Sequence, residues 1–414
     1  MHNNMVDPLL TYSLDIPFFN DLEEFAILTG LSTKLIYLLS NKSYRYYKVR
    51  EIPKRNGSKR TIYVPSYTMK IIQRWILVNI ISKLKPSENA MAFIKGKSTE
   101  YKRDIKTNAV YHSSSLYGLS IDLQDFFPSI KSKQVYYLFK KIGYNNFAAT
   151  LLTKLCTLND ELPQGAVCSP ALSNLICINL DSRLSGLCSK RRIVYTRYAD
   201  DMYFSCDNKV LLLRLYPIIE DIIKDEGFEI NQQKVHYHTP HNKKLVTGVA
   251  VVNNKGNVEL KACKDLKRKI RAEIFRCVMT GSYDDVQHIK GEIAYVDYIQ
   301  RENKKRYRDS IIEYINKLTD KIVYFPELVD AYNANLFFKE LRPIEYSPIS
   351  DLQLDMDNSD QNYDDTLFSV IVGLYRERIE YLKRHNLHDI CQYEEWPDFS
   401  SFNESLYDES DLPY

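Results

Sequence analysis

Three aspartates could do chemistry together. Asp200 and Asp201 lie side by side in Arg192-Ile193-Val194-Tyr195-Thr196-Arg197-Tyr198-Ala199-Asp200-Asp201-Met202-Tyr203-Phe204-Ser205, which reads as strand, tight turn, strand with both carboxylates at the tip. Asp122 closes the apolar run Leu119-Ser120-Ile121, about eighty residues earlier, and the aromatic pair Phe126-Phe127 follows it. Adjacent carboxylates repel, so the tip is unfavourable unless a cation neutralises it, and Mg²⁺ is the hard, oxygen-seeking ion suited to that. Two such ions, about 3.5 to 4 Å apart, would acidify an attacking hydroxyl and stabilise departing pyrophosphate oxygens, which is nucleotidyl-transfer chemistry. Mn²⁺ is a possible substitute. An Asp-Asp pair in a turn, taken alone, also describes a solvated loop.

The elements that must hold these groups can be read from periodicity. Residues 21–41 read as a helix pair broken at Thr29-Gly30-Leu31-Ser32, with Ser32 as cap. Tyr46 to Val49 and Arg60 to Tyr63 alternate as strands around a hairpin turn at Arg55-Asn56-Gly57-Ser58. A helix is expected from about Ser66 to Lys85, with Ile71, Ile72, Trp75, Ile76 and Val78 at helical spacing. An amphipathic helix over about Val210 to Lys224 precedes Gly227-Phe228-Glu229-Ile230-Asn231-Gln232-Gln233-Lys234. Residues 260–325 read as three helices rich in Lys264, Lys267, Arg268, Lys269, Arg271, Lys304, Lys305 and Arg306.

Composition narrows the class. With 414 residues, 44% of them hydrophobic, the chain can bury a large core spread over several subdomains. Its apolar runs are too interrupted for a membrane span, and the start Met1-His2-Asn3-Asn4 lacks an export pattern, so a cytoplasmic protein without a membrane partner is expected. Eight cysteines without a Cys-x-x-Cys pair point to reduced thiols. The net charge of +3 conceals an asymmetry: about 19 acidic residues stand against 6 basic ones from Asp330 onward. A basic body attracts a polyanion through counterion release, and 32 tyrosines offer faces on which bases can stack. His236, His238 and His241 cluster, but with no cysteine or carboxylate close by in sequence they read as nucleic-acid contacts or solvated groups rather than zinc ligands.

Tyr198-Ala199-Asp200-Asp201 resembles the signature box of reverse transcriptases, and Ile121-Asp122-Leu123 with Phe126-Phe127 resembles their first catalytic motif. Leu162-Pro163-Gln164-Gly165-Ala166, followed by Ser169-Pro170 and Ser173-Asn174, is similar to their template- and nucleotide-positioning segment. Asn108-Ala109-Val110-Tyr111-His112 and Val246-Thr247-Gly248 resemble two boxes of the retron enzymes. So do Ala90-Met91-Ala92-Phe93 with Lys97-Ser98, and Gly291-Glu292-Ile293-Ala294-Tyr295; the likeness spans roughly residues 20–320.

The resemblance implies an α+β right-hand polymerase: fingers, an antiparallel-sheet palm, a helical thumb and an acidic C-terminal appendage. The expected divisions are 1–42 for an N-terminal helical extension, 43–118 for fingers with the start of the palm, 119–258 for palm, 259–325 for thumb and 326–414 for the appendage. It also implies that Asp122, Asp200 and Asp201 hold the metals beside the Leu123 backbone. Arg60, Phe127, Gln164 and Lys234 would serve the nucleotide: Arg60 as triphosphate clamp, Phe127 as a gate against the 2′-hydroxyl, Gln164 near the sugar and base, Lys234 as proton donor to pyrophosphate. Asn108, His112, Thr247, Gly248, Lys267, Arg268 and Arg271 are candidates for RNA recognition, with a buried polar pair as the other reading of Asn108 and His112.

A retron enzyme would use dNTPs to copy its own structured non-coding RNA, start from a 2′-hydroxyl, and make branched RNA–DNA (msDNA), with a cDNA product held beside the RNA. An effector protein and a role in antiviral defence come with that resemblance. Two alternatives are another bacterial reverse transcriptase, from defence systems or group II introns, and an RNA-binding scaffold for an effector. The intact carboxylate triad argues against the scaffold.

Overall fold

The computed structural model describes residues 12–53, 57, 59–94, 103–240, 244–254, 257–300, 306–347, 373–374 and 376–385. The tip of the hairpin turn, Lys97-Ser98, His241, Lys304-Lys305, the acidic stretch 350–365 and the aromatic tail lie outside them. The chain divides into two compact units, residues 1–261 and 262–414.

In the first unit, apolar residues at opposing strand positions build a four-stranded antiparallel sheet. Its strands are β3 (Tyr117–Asp122), β4 (Val194–Tyr198), β5 (Asp201–Cys206) and β6 (His236–His238), in the order β4-β5-β3-β6. Leu119, Ile121, Met202 and Phe204 are buried in its centre. Both faces of β3 and β5 are largely covered, which is why they read as near-continuous apolar runs. The helices Ser169–Ile176, Ile178–Ser189 and Lys209–Asp225 contribute Leu172, Leu180, Leu184, Leu215 and Ile219 to the same core.

Two antiparallel strands, β1 (Tyr47–Pro53) and β2 (Lys59–Pro65), form a separate hairpin. They extend farther than the alternation alone indicates, and residues 43–46 are a turn of 3-10 helix rather than strand. The helix Tyr67–Asn79 follows, its first turn closed by the Ser66 hydroxyl accepting from the Met69 amide. The N-terminal helices Leu22–Thr29 and Thr33–Asn41 meet at Gly30, with Ser32 capping the second. A third sheet joins β7 (Lys244–Val246), β8 (Val249–Asn254) and β9 (Asn257–Ala262).

The second unit packs the helices Lys264–Thr280, Val286–Ile299, Tyr307–Ile322 and Pro326–Ala334 around Ile270, Ile274, Ile293, Ile311 and Leu328. Among the described residues no helix is long and apolar enough to cross a membrane.

Candidate active site

Strand pairing brings the aspartates together. In the β3/β5 register Asp122 lies opposite Asp201, and in the β4/β5 register Tyr198 lies opposite Asp201, so Ala199 and Asp200 form a two-residue hairpin loop. Ala199 has φ 59°, a left-handed conformation that is unfavourable for a residue with a Cβ. Backbone bonds lock the neighbourhood: the Leu123 amide donates to the Asp200 carbonyl at 2.9 Å, and the Asn231 amide to the Asp122 carbonyl at 2.9 Å. Hard cations take oxygen ligands, so the Leu123 backbone can offer a metal only its carbonyl.

The electrostatics are those of a site built for positive charge. Burial, then the Asp122 charge, raises the pKa of Asp200, while Lys234 and Arg60 oppose the rise. Asp201 is pushed up to about 6, chiefly by burial; the Thr247 and Ser120 hydroxyls oppose the shift, and Asp200 and Asp122 add to it. Lys234 Nζ lies 2.8 and 3.0 Å from the two Asp122 oxygens.

All-oxygen donors at mutually repelling carboxylates suit a hard divalent cation, and the ammonium already drawn onto Asp122 indicates that the site accepts positive charge. The triad is not drawn so tight that its ligand atoms all lie within 4.8 Å of one another. Among the described residues that spacing occurs at Glu273, His288 and Glu292 in the second unit. There Lys269 Nζ already sits 2.6 Å from Glu292.

The nucleotide candidates surround the triad. Arg60 lies on β2, near enough for its charge to act on Asp200. The Tyr63 amide of the same strand donates to the Gln164 carbonyl at 2.8 Å, tying the hairpin to the Gln164 segment. Gly165, at φ 112°, permits this close approach, because a Cβ there would lie 2.8 Å from both Ile62 Cγ2 and the Tyr63 oxygen. Phe127 is half-buried, its ring 5.4 Å from Phe126 and 6.4 Å from Phe93.

The RNA candidates divide. Asn108 and His112 are 1% and 0% exposed, and their side-chain polar atoms bond to Thr247, Thr196 and Ser205. Of the two readings, RNA contact or a buried polar pair, this burial fits the second: packing of the helix Ile105–Tyr111 against β4 and β8 puts both side chains in the interior. Thr247 is half-buried and Gly248 exposed, both in the turn between β7 and β8. Lys267, Arg268 and Arg271 share the helix Lys264–Thr280. Arg268 is largely exposed, whereas Lys267 and Arg271 lie over the Tyr307 and Tyr314 rings at 5.6 and 5.7 Å.

Sequence reading missed the supports. Arg197, fully buried, bonds Asp181 at 2.7 and 2.8 Å, Asn174 Oδ1 at 3.1 Å and the Ala199 carbonyl at 3.1 Å. Ser120 donates to Asp201 at 3.3 Å. A charged residue among apolar strand residues was the available signal for Arg197; nothing in the sequence pairs it with Asp181.

The chain is similar in sequence to known proteins. The family described as reverse transcriptase (RNA-dependent DNA polymerase) matches residues 52–266. The chain is 32% identical to the retron Ec86 reverse transcriptase of Escherichia coli, over 75% of this chain and 92% of that protein. It is 31% identical to the retron Mx65 reverse transcriptase of Myxococcus xanthus, over 70% and 71% respectively. Among solved structures, that of telomerase from Candida albicans aligns with a TM-score of 0.39 at 10% identity, over 72% of this chain and 63% of that one.

Proposed function

The chain belongs to the reverse transcriptases, among them to the retron type, and is an RNA-directed DNA polymerase; from that premise we propose that Asp122, Asp200 and Asp201 form its two-metal site, that Mg²⁺ is the ion, and that the product is branched RNA–DNA started from a 2′-hydroxyl of a cognate structured RNA. The observation that carries the site is the strand register, which faces Asp122 with Asp201 beside Asp200 at a half-buried hairpin tip. Bound there, the ions would activate the attacking hydroxyl and stabilise the departing pyrophosphate.

The chain's own residues do the rest. Asp122, Asp200 and Asp201, with the Leu123 carbonyl, hold the ions. Arg60 grips triphosphate oxygens with its planar fork, and Gln164, fixed against β2 through its carbonyl, lies by the sugar and base. Phe127 crowds the position where a ribonucleotide would carry its 2′-hydroxyl. Lys234 delivers a proton to pyrophosphate once it parts from Asp122. Lys267, Arg268 and Arg271 present a cationic, aromatic-backed helix face suited to an RNA backbone. The expected divisions into N-terminal extension, fingers, palm, thumb and appendage are carried into this proposal, as are an effector partner and an antiviral role, which rest on the retron kinship, and a cytoplasmic location, which rests on the sequence pattern alone.

The test is to purify the protein with its native locus co-expressed, extract nucleic acid, and assay for DNA joined to RNA through a debranching-sensitive 2′ linkage. An Asp200→Ala, Asp201→Ala double variant is the control. Branched product from the wild type alone supports the proposal; unbranched DNA removes the 2′ priming, and RNA without DNA removes the catalytic role of the triad.

A further inference from the structure

Asp201 is a carboxylate and can only accept hydrogen bonds. Ser120 bonds it at 3.3 Å from Oδ1, and the Thr247 hydroxyl is near enough to favour its charged form. The Thr247 oxygen accepts from Asn108 Nδ2 at 3.0 Å, which leaves its one proton free to turn toward Asp201. The Asn108 amide is thereby oriented, and its Oδ1 accepts from the Thr196 hydroxyl at 2.5 Å. Thr196, its proton committed, accepts in turn from His112 Nε2 at 2.7 Å; His112 Nδ1 lies 2.7 Å from the Ser205 hydroxyl, which also bonds Ser115 at 3.2 Å. From His112 through Thr196 and Asn108 to Thr247 the donors thus point one way, from a buried, neutral imidazole toward the Thr247 oxygen.

A second observation is independent of the chain of bonds. Thr247 and Gly248 form the two-residue loop between β7 and β8, since Val246 pairs with Val249. Both have positive φ, 49° and 79°. Such loops favour Asn, Asp or Gly at both positions. A β-branched residue there is strained, and strain held in place by its surroundings points to a role for the side chain.

We propose that Thr247 is a positioning residue for the metal-binding Asp201 carboxylate, with Asn108, Thr196 and His112 as the buried chain that fixes the direction of its hydroxyl. The two retron-like boxes, Asn108 to His112 and Val246 to Gly248, then form one device that aims a catalytic carboxylate. This inference rests on the two-metal reading of Asp201.

The experiment compares full-length wild type, Thr247→Val, Thr247→Ser and Thr247→Gly. Mn²⁺ binding to the protein is followed by electron paramagnetic resonance. Mn²⁺ dependence, kcat and KM for dNTP are measured on a generic RNA template with a DNA primer. Thr247→Val is expected to weaken Mn²⁺ binding and raise the half-saturating Mn²⁺ on the order of tenfold, as loss of a ligand-orienting hydrogen bond does. KM for dNTP and primer–template affinity should hold, and Thr247→Ser should restore the wild-type values.

Thr247→Gly relieves the left-handed strain, so it should fold at least as stably and yet bind Mn²⁺ weakly; it decides the matter should the valine variant fail to fold. Wild-type Mn²⁺ behaviour in folded Thr247→Val or Thr247→Gly, including the case where only affinity for the cognate RNA falls, overturns the inference. A wild type that binds Mn²⁺ but never extends the primer would instead overturn the polymerase reading.

Discussion

Arg197 and Asp181 form a fully buried ion pair, guanidinium to carboxylate at 2.7 Å, and the same guanidinium holds the carbonyl of Ala199, the strained residue next to Asp200. The Tyr195 hydroxyl donates to the same carboxylate at 2.8 Å. Removing one partner strands a charge in the core. Arg197→Met should destabilise the fold by about 3–5 kcal/mol, read from urea unfolding. The double variant Arg197→Met, Asp181→Leu should recover much of that stability without recovering polymerisation, because the grip on Ala199 is gone. Restored activity in the double variant would show that the hairpin tip keeps its shape unaided.

Lys234 is bonded to both oxygens of Asp122, so it competes with any cation there. Lys234→Met should lower the Mg²⁺ concentration needed for half-maximal activity. If Lys234 also protonates pyrophosphate, nucleotide addition measured by rapid quench should slow on the order of a hundredfold. An unchanged rate at saturating Mg²⁺ would leave Lys234 as a partner of Asp122 only.

Phe127 is half-buried, its ring in contact range of Phe126 and Phe93. Phe127→Ala should reduce the preference for dNTP over rNTP, as the ratio of kcat/KM, on the order of tenfold or more. An unaltered ratio with a lowered melting temperature would make it an ordinary packing residue.

Gly165 sits where β2 meets the Gln164 segment. A methyl there must displace backbone, and its φ of 112° disfavours any side chain. Gly165→Ala should destabilise by about 1–3 kcal/mol. It should also raise KM for dNTP, because Arg60 and Gln164 move with the displaced strand. A normal KM would disconnect the hairpin from nucleotide binding.

His112 is held neutral, its pKa lowered by burial, and then by Lys244, from 6.5 to about 3. The unfolded chain takes up a proton below pH 6.5 that the folded chain refuses. Stability from this residue is therefore complete above pH 6.5 and is lost as pH falls toward 3, at about 1.4 kcal/mol per pH unit. Comparing urea midpoints of wild type and His112→Gln between pH 7.5 and 4.5 isolates the contribution. Parallel pH profiles for the two proteins would contradict it.

The sequence by itself determined the class of chemistry, that of an RNA-directed DNA polymerase. Asp122, Asp200 and Asp201 stood out as candidates because the motifs around them are short and ordered along the chain, and because a hairpin tip is a local structure that nearby residues specify. Tyr198 to Asp201 and the Gln164-Gly165 segment carried their meaning in a few consecutive residues, as did the helix pair capped by Ser32. Helix Lys209–Asp225 was legible for the same reason, its apolar period needing no distant partner.

Tertiary structure alone decided what those residues touch. The bonds of Arg197 to Asp181, of Asn108 to Thr196 and Thr247, and of His112 to Ser205 join segments 16 to 139 residues apart in sequence. No local pattern encodes such a pairing, because hydrogen-bonding residues look alike whether solvent or another strand satisfies them. Asn108 and His112 could be read equally as RNA contacts or as buried anchors until the helix carrying them was seen packed against β4 and β8. Burial is a property of the assembled fold, and it turns a polar side chain from a surface recognition group into a support with fixed partners.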